Sequence, residues 1–268
     1  MCGITGLINL KGDLISPNIL KKMNDSIAHR GPDGSGYWFD KNIGLGHRRL
    51  SIIDLSDLGK QPIVSENQRF IFIYNGEVYN FKEIRSELQA LGISFKSAAD
   101  SEVVMQALIV WGEAALLKFN GMFSLALWDN LNKNLLLARD RYGIKPLYYS
   151  FQGNFLTFAS EQKAIIANPY FSRNLNKEAL LEYMTFQNFF SEKTLLNGIN
   201  ILPAGYYLNF SLSNKNYNLY KYWDYKFSEP NFKINREAYN NELDRLFCQA
   251  VKRQLVSDVE IGTYLSGG

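Results

Sequence analysis

Alternating apolar and polar positions divide most of this chain into short strands, and helical spacing interrupts them at intervals. Residues 4–10 are an apolar run that predicts a strand. Ser16-Pro17 follows, then Leu20, Met23 and Ile27 at helical spacing, so Ser16 is expected as N-cap and Pro17 at the first helical position. The stretch 29–36, HRGPDGSG, is too rich in Gly and Pro for either element and reads as a loop. Strands are expected at 37–39 and 43–49, and a buried one at 70–74. Asn80 and Glu83 have the spacing of a capping box for a helix carrying Ile84, Leu88 and Leu91, which Gly92 stops. Asp100 or Ser101 is expected to cap the next helix, with Val103, Val104, Leu108 and Trp111 behind it. Hairpins are predicted for 121–129 with 134–140 and for 147–151 with 155–159. Ser160 is read as the cap of a short helix ended by Asn168-Pro169, and Asn176 as the cap of another over 179–183. A last strand covers 206–210.

The pattern changes at Ser211. Residues 211–218 are polar and Asn-rich, which predicts a linker, drawn at 211–234. Asn235 is then expected to cap a long amphipathic helix with Tyr239, Leu243, Leu246, Phe247, Ala250 and Val251 on one side. Residues 261–265 read as a strand that runs into Ser266-Gly267-Gly268, the opening of a Gly-rich loop. Helix, strand and half a loop make the start of an α/β unit rather than a finished domain. The expectation is therefore an α+β fold over 2–210, a linker, and an incomplete α/β segment at 235–268.

Composition narrows the function classes. With 268 residues, 46% hydrophobic and 21% charged, the chain has the balance of a soluble protein with a large core. No apolar run approaches the roughly 18–20 residues that span a bilayer, and the start lacks a basic leader and an apolar signal core. No membrane partner and a cytoplasmic location are expected. Cys2 and Cys248 make no disulfide framework, which fits a reducing compartment. A scattered net charge of +3 is too small to argue for a nucleic-acid surface, and no nucleic-acid partner is expected. His29 and His47 have no ligand spacing around them, so no metal is expected.

The candidate chemistry begins at Cys2. Once Met1 is removed, this residue carries a thiol and a free α-amine together. The amine, with a pKa of roughly 7.7–8.0, can take the proton of a thiol of about 8.5, so one residue supplies nucleophile and base. A Cys–His dyad with His29 or His47 is the alternative. Asn75-Gly76 has two readings: a hairpin turn, or a side-chain amide and an unobstructed N–H converging on one oxygen as an oxyanion hole. Arg48 and Arg49 on one strand point to opposite faces, so one can enter a pocket and grip a carboxylate with its guanidinium fork. Arg30 and Asp33 among glycines fit a surface turn or the wall of a small polar pocket, and Asp100 fits a helix cap or a partner for a bound ammonium group.

Met1-Cys2-Gly3-Ile4, RGPDGSG at 30–36, RRLSIIDLS at 48–56, YNGEVYN at 74–80 and ADSEV at 99–103 stand in one order and spacing. GMFSLALWD, ARDRYGIKPLYY, SEQKAI and LPAGYYL continue it. Together they resemble the glutaminase half of the asparagine synthetase family from Cys2 to about Phe210, and YLSGG at 264–268 resembles the start of the synthetase half. Ala99 and Ser101 beside Asp100 depart slightly from the family pattern and remove no charge. The resemblance implies the four-layer αββα sandwich of N-terminal-nucleophile amidohydrolases, with two antiparallel sheets. It implies Cys2 as nucleophile and Asn75 and Gly76 as oxyanion donors. Arg49, with main-chain groups of Leu50, Ser51, Ile52 and Ile53, would bind the α-carboxylate of glutamine, and Glu77 and Asp100 its α-ammonium.

The glutaminase half is expected to need no cofactor. ATP and Mg serve the synthetase half, of whose nucleotide loop only Leu265, Ser266, Gly267 and Gly268 are in the chain. The chain is thus expected to release ammonia from glutamine, but neither to hold ATP well nor to make asparagine unaided. Aspartate and ATP become partners only with the missing domain, and a homodimer is compatible with the resemblance. One rival is the same glutaminase serving a synthetase that amidates another carboxylate, such as a sugar acid. Another is a non-catalytic scaffold that has kept the fold.

Overall fold

Residues 1–229 and 235–265 are described by the computed structural model. β1 (Gly3–Asn9) precedes α1 (Pro17–Ser26), β2 (Gly34–Asp40) and β3 (Ile43–Arg49). β4 (Ile63–Val64) and β5 (Phe70–Val78) lead to α2 (Phe81–Ala90), α3 (Asp100–Trp111) and the short α4 (Ala115–Lys118). The hairpins β6 (Gly121–Asp129) with β7 (Asn134–Arg139) and β8 (Tyr148–Gln152) with β9 (Phe155–Ala159) follow. Then come α5 (Gln162–Ile166), α6 (Lys177–Phe186), β10 (Asn200–Ile201), β11 (Tyr206–Ser211), β12 (Asn216–Lys221) and α7 (Arg236–Gln254).

The strands form two antiparallel sheets, in the orders β10-β8-β9-β1-β3-β2 and β12-β11-β7-β6-β5-β4. Period-two alternation sorts their side chains into layers. Ile4, Ile8 and Leu45 of the first sheet meet Ile71, Ile73, Trp128 and Leu137 of the second in a core between the sheets. On the far side of the first sheet, Leu7 packs with Leu20, Met23 and Ile27 of α1 and Ile165 of α5. On the far side of the second, Phe72, Tyr74 and Phe123 pack with Ile84 and Leu88 of α2 and Val103, Val104 and Leu108 of α3. This is the four-layer αββα sandwich. Strands covered on both faces read as continuous apolar runs, which is why β1 shows little alternation in the sequence. Among the described residues no helix is long and apolar enough to cross a membrane.

Several local expectations give way to tertiary contacts. Asn80 precedes α2 but makes no cap bond. Its Oδ1 accepts from Asn120 N–H at 2.8 Å and its Nδ2 donates to Lys118 O at 2.9 Å, stitching α2 to the turn after α4. Ser160 does not cap α5, where Glu161 holds that place. Its Oγ accepts from Ile4 N–H at 3.0 Å, and its own N–H donates to Ile4 O, so it fastens β9 beside the start of β1. Asn75-Gly76 is no hairpin turn, because β5 runs through it with Asn75 opposite Ser124 and Gly76 opposite Phe123.

The linker drawn at 211–234 also begins too early. Residues 216–221 form β12, paired with β11 from Tyr206↔Lys221 to Ser211↔Asn216. Asn-rich composition masked an alternation in which Leu219 leans on the inter-sheet core and Tyr220 stacks on Tyr207. Asn235 caps α7 as expected, its Oδ1 accepting from Ala238 N–H at 2.8 Å. α7 buries none of its residues. The strand expected at 261–265 is irregular chain with Leu265 exposed, since among the described residues no neighbouring strand offers it a ladder. Ser266, Gly267 and Gly268 lie outside the described residues.

Candidate active site

Cys2 sits at the mouth of β1, where three main-chain and side-chain ties fix it. Arg30 Nε donates to Cys2 O at 2.9 Å, and Arg30 Nη1 reaches Glu161 Oε1 at 2.9 Å. The thiol lies against one residue of the segment after β3: Leu50 N–H donates to Sγ at 3.4 Å, and Sγ–H donates to Leu50 O at 3.5 Å. Burial pushes the Cys2 thiol up from its ordinary pKa, and the Leu50 hydrogen bond opposes that shift. A sulfur held this way needs a nearby base to become a thiolate. Burial likewise lowers the pKa of the chain's α-amine at Met1.

A cavity of about 210 Å³ opens beside the sulfur. Arg49, Leu50, Ile52, Ile53 and Gly59 form one wall, and Tyr74, Asn75, Gly76 and Glu77 of β5 another. Ala99, Asp100 and Ser101 close the far end, with Met1, Gln61, Met122 and Lys145 completing the lining. Most of the residues picked out from the sequence therefore converge: Cys2, Arg49, Leu50, Ile52, Ile53, Asn75, Gly76, Glu77 and Asp100 all face one space. Ser51 does not line it; its N–H donates outward to Asp33 Oδ2 at 2.8 Å. Asp33 thus serves as a loop anchor rather than as a wall.

Arg49 enters from β3 while its neighbour Arg48 turns the other way to Asn24 O and Asp25. The Arg49 guanidinium is aimed by two carbonyls, Ser56 O at 2.8 Å and Asp54 O. Asp54 holds the left-handed conformation, φ 54°, that turns its carbonyl toward the arginine. Its carboxylate accepts from the Ser56 hydroxyl and N–H and from Ala98 N–H, and the Ser56 hydroxyl bond first of all holds its pKa below the ordinary carboxylate range. Gly59 has no alternative here, since a Cβ would collide with the Arg49 guanidinium and the Asp54 carbonyl.

Asp100 is the first residue of α3, with Ala99 in the cap position, so its side chain is released from capping. It is buried, and its Oδ2 accepts from Tyr74 O–H at 2.9 Å and from Val78 N–H at 3.0 Å. Burial pushes its pKa up to about 6 in spite of these bonds. Glu77 is raised for the same reason, and then by the charge of Asp100. Lys145 is lowered by burial, with Glu77 acting against that shift. The Asn75 amide is buried, its Nδ2 reaching Ser124 Oγ at 3.5 Å. At Gly76 a Cβ would strike Met122 O and the Phe123 backbone, so only glycine lets β5 lie this close to β6. A cavity holding Arg49 and Lys145 together with Asp100 and Glu77 suits a zwitterion, because each end of an amino acid finds an opposite charge.

Neither histidine lines the cavity. His47 is buried and its pKa is driven to about 3 by desolvation, so the neutral ring donates from Nε2 to Tyr74 O at 3.1 Å. His29 is paired with Glu161 at 2.9 Å at the surface. A Cys–His dyad has no geometric support. Replacing both by glutamine is expected to leave glutamine turnover within about threefold in folded protein, as read by ammonia release; a loss of 100-fold or more would point to the dyad instead.

Two of the lining residues, Tyr74 and Lys145, carry no chemical signal of their own in the sequence pattern. The alternation of β5 places Tyr74 on the helix side, facing the start of α3, and that signal was available. Lys145 is carried by a loop wound around one buried carboxylate: Asp140 accepts from the N–H groups of Phe123, Tyr142, Ile144 and Lys145. No spacing rule announces such a loop. Among the described residues no group of three or more His, Cys, Asp or Glu side chains could hold a metal ion.

Comparison with known proteins agrees with this geometry. The family described as glutamine amidotransferase domain matches residues 1–223, and the family described as asparagine synthase matches 242–268. The chain is 35% identical over 272 residues to asparagine synthetase [glutamine-hydrolyzing] 3 of Bacillus subtilis, covering 100% of this chain and 44% of that protein. It is 34% identical over 284 residues to amidase chry2 of Gibberella zeae, covering 100% of this chain and 41% of the relative. The chain thus spans less than half the length of both. Among solved structures, glutamine phosphoribosylpyrophosphate amidotransferase from B. subtilis superimposes with a TM-score of 0.62 at 17% identity, covering 83% of this chain and 49% of the other, which shows a shared fold. By its sandwich of two sheets and by the match over residues 1–223, the chain belongs to the glutamine amidotransferase domain family.

Proposed function

We propose that this chain hydrolyses glutamine to glutamate and ammonia at Cys2. The observation that carries the reading is one cavity in which the Cys2 sulfur, the Asn75 amide, Gly76, Arg49 and Asp100 converge. With Met1 removed, the α-amine of Cys2 takes the thiol proton as sulfur attacks the side-chain amide carbon of glutamine. Asn75 and Gly76 hold the oxyanion. The protonated amine then gives its proton to the leaving nitrogen, ammonia departs, and a γ-glutamyl thioester remains. Water, deprotonated by the same amine, attacks the thioester; the thiol regains its proton and glutamate leaves.

Arg49 takes the α-carboxylate and Asp100 with Glu77 the α-ammonium, which together set the side-chain amide against the sulfur. Ile52 and Ile53 contribute to the wall on the carboxylate side, whereas Ser51 has its N–H engaged elsewhere. Asn75→Ala removes an oxyanion donor and is expected to lower kcat about 10²–10³-fold, about 2.7–4 kcal/mol, with little change in KM. Steady-state ammonia release reads both constants, and an equal kcat for the variant would remove Asn75 from the mechanism. The glutaminase unit is taken as residues 2 to about 223, and the segment from 235 as part of a second unit.

In a protein with the length of these relatives, we infer that the ammonia serves an ATP- and magnesium-dependent conversion of aspartate to asparagine, in the cytoplasm. The match of residues 242–268 to the asparagine synthase family supports this, as do relatives named for that reaction. Of the expected nucleotide-loop residues only Leu265 is described, and it is exposed. A second acceptor is the other reading, since a relative named an amidase is 34% identical over 284 residues. Ammonia-dependent amidation by the full-length protein, assayed with aspartate against other carboxylic acids, separates the two.

A further inference from the structure

We propose that Asp258 is a positioning residue for the glutamine site, joining the C-terminal segment to the loop that aims Arg49. This rests on the glutaminase reading above. Among the described residues, the polypeptide after α7 returns to the amidotransferase sandwich around Val256 and Asp258. Asp258 N–H donates to Ile52 O at 2.9 Å, and Asp54 N–H donates to Asp258 Oδ2 at 2.7 Å. Val256, two residues earlier, is partly buried against the same helix-side core as Ile53. The contact has a two-point polar grip and an apolar foot.

Asp54 is the residue through which this grip reaches the cavity. Its N–H takes Asp258, its carbonyl takes the Arg49 guanidinium, and its carboxylate accepts from Ala98 N–H just before Asp100. One left-handed residue thus connects the group for the α-carboxylate, the segment leading to the group for the α-ammonium, and the chain that continues toward 265. Asp258 satisfies the Asp54 N–H and fixes the peptide plane whose carbonyl holds Arg49. Loss of that acceptor leaves the loop free to rotate and blunts Arg49 as a carboxylate clamp. The interaction is reciprocal, so occupation of the glutamine site tightens the hold on the segment around 258 by the same factor.

The test compares processed wild-type chain with Asp258→Ala and Asp258→Asn, measuring ammonia release against glutamine concentration and amide hydrogen exchange with and without saturating glutamine. Asp258→Ala is expected to raise the glutamine KM about 5- to 10-fold with kcat unchanged. Asp258→Asn keeps an acceptor oxygen and is expected to return KM to within about twofold of wild type. Glutamine is expected to slow exchange at the Asp54 and Asp258 amides in wild type and not in Asp258→Ala. A KM for Asp258→Ala within twofold of wild type, or a fall in kcat at constant KM, overturns the proposal while leaving the glutaminase assignment standing. Processed wild type that does not hydrolyse glutamine overturns both.

Discussion

Protein that keeps Met1 is expected to hydrolyse glutamine about 10²–10⁴-fold more slowly than protein that begins at Cys2, with the same fold and the same thermal midpoint. General-base assistance from a placed amine accounts for a factor of that size. An acylated nitrogen has no basic lone pair, so retention of Met1 removes the base and leaves the thiol. The thiol cannot compensate, because burial already disfavours its ionised form. Met1 itself lines the cavity, so it also takes space that glutamine needs. Cys2→Ala in processed protein removes the nucleophile and is expected to cost on the order of 10⁴-fold or more. Intact mass establishes which form is present, and ammonia release at saturating glutamine reads the rate. Equal rates from the two forms would mean that the amine is not the base.

Asp100→Asn is expected to weaken glutamine binding and to stabilise the fold, both strongly. Removing the charge leaves the substrate ammonium facing a neutral amide in a buried site, a loss of about 2–5 kcal/mol, or roughly 30-fold and more in KM. The stability change has the opposite sign. A carboxyl whose folded pKa lies above its unfolded value destabilises the native state increasingly as pH rises through the interval. Here the interval runs from 3.8 to about 6, and the full penalty is present at neutral pH. At about 1.4 kcal/mol for each pH unit, the variant should gain about 2–3 kcal/mol at pH 7 and nothing below pH 3.8. Its amide oxygen can keep both bonds now made to Oδ2, from Tyr74 and Val78. Urea midpoints at pH 7 and pH 3.5 measure the difference. In wild type, with Asp100 holding the substrate ammonium as proposed, glutamine kcat/KM is expected to fall about tenfold for each pH unit below about 6. A variant no more stable than wild type at pH 7 would show that Asp100 is not buried as a charge.

The elements of the sandwich were legible where one force dominates. The apolar runs at 70–74 and 121–128 read as buried strands, and Gly92 and the Gly153-Asn154 turn stop their elements by backbone conformation. The site was legible because charged and amide residues interrupt those same strands: Arg49 at the end of β3, and Asn75-Gly76-Glu77 inside β5. Local capping chemistry held at Asn176 and Asn235, which cap α6 and α7, and failed at three other positions. Ser160, Asn80 and Asp100 each carry a side chain that could cap a helix, and each spends it on a distant segment, at Ile4, Asn120 and Tyr74. Propensity counts only neighbours in sequence, so it could not show these partners. β12 was hidden by asparagines at alternate positions, and residues 261–265 were read as a strand although a strand exists only beside another. Lys145 and the Asp54–Asp258 contact depend on loops brought together from far apart in sequence.

A glutamine-like diazo ketone added to processed protein, with the modified peptide identified by mass, tests most directly whether residue 2 is nucleophile and base at once. The expected result is one adduct on Cys2, formed at a rate that glutamine suppresses, with exposed Cys248 untouched and Met1-retaining protein labelled far more slowly. Folded, processed protein that stays unlabelled at Cys2, or labels equally at Cys248, would contradict it.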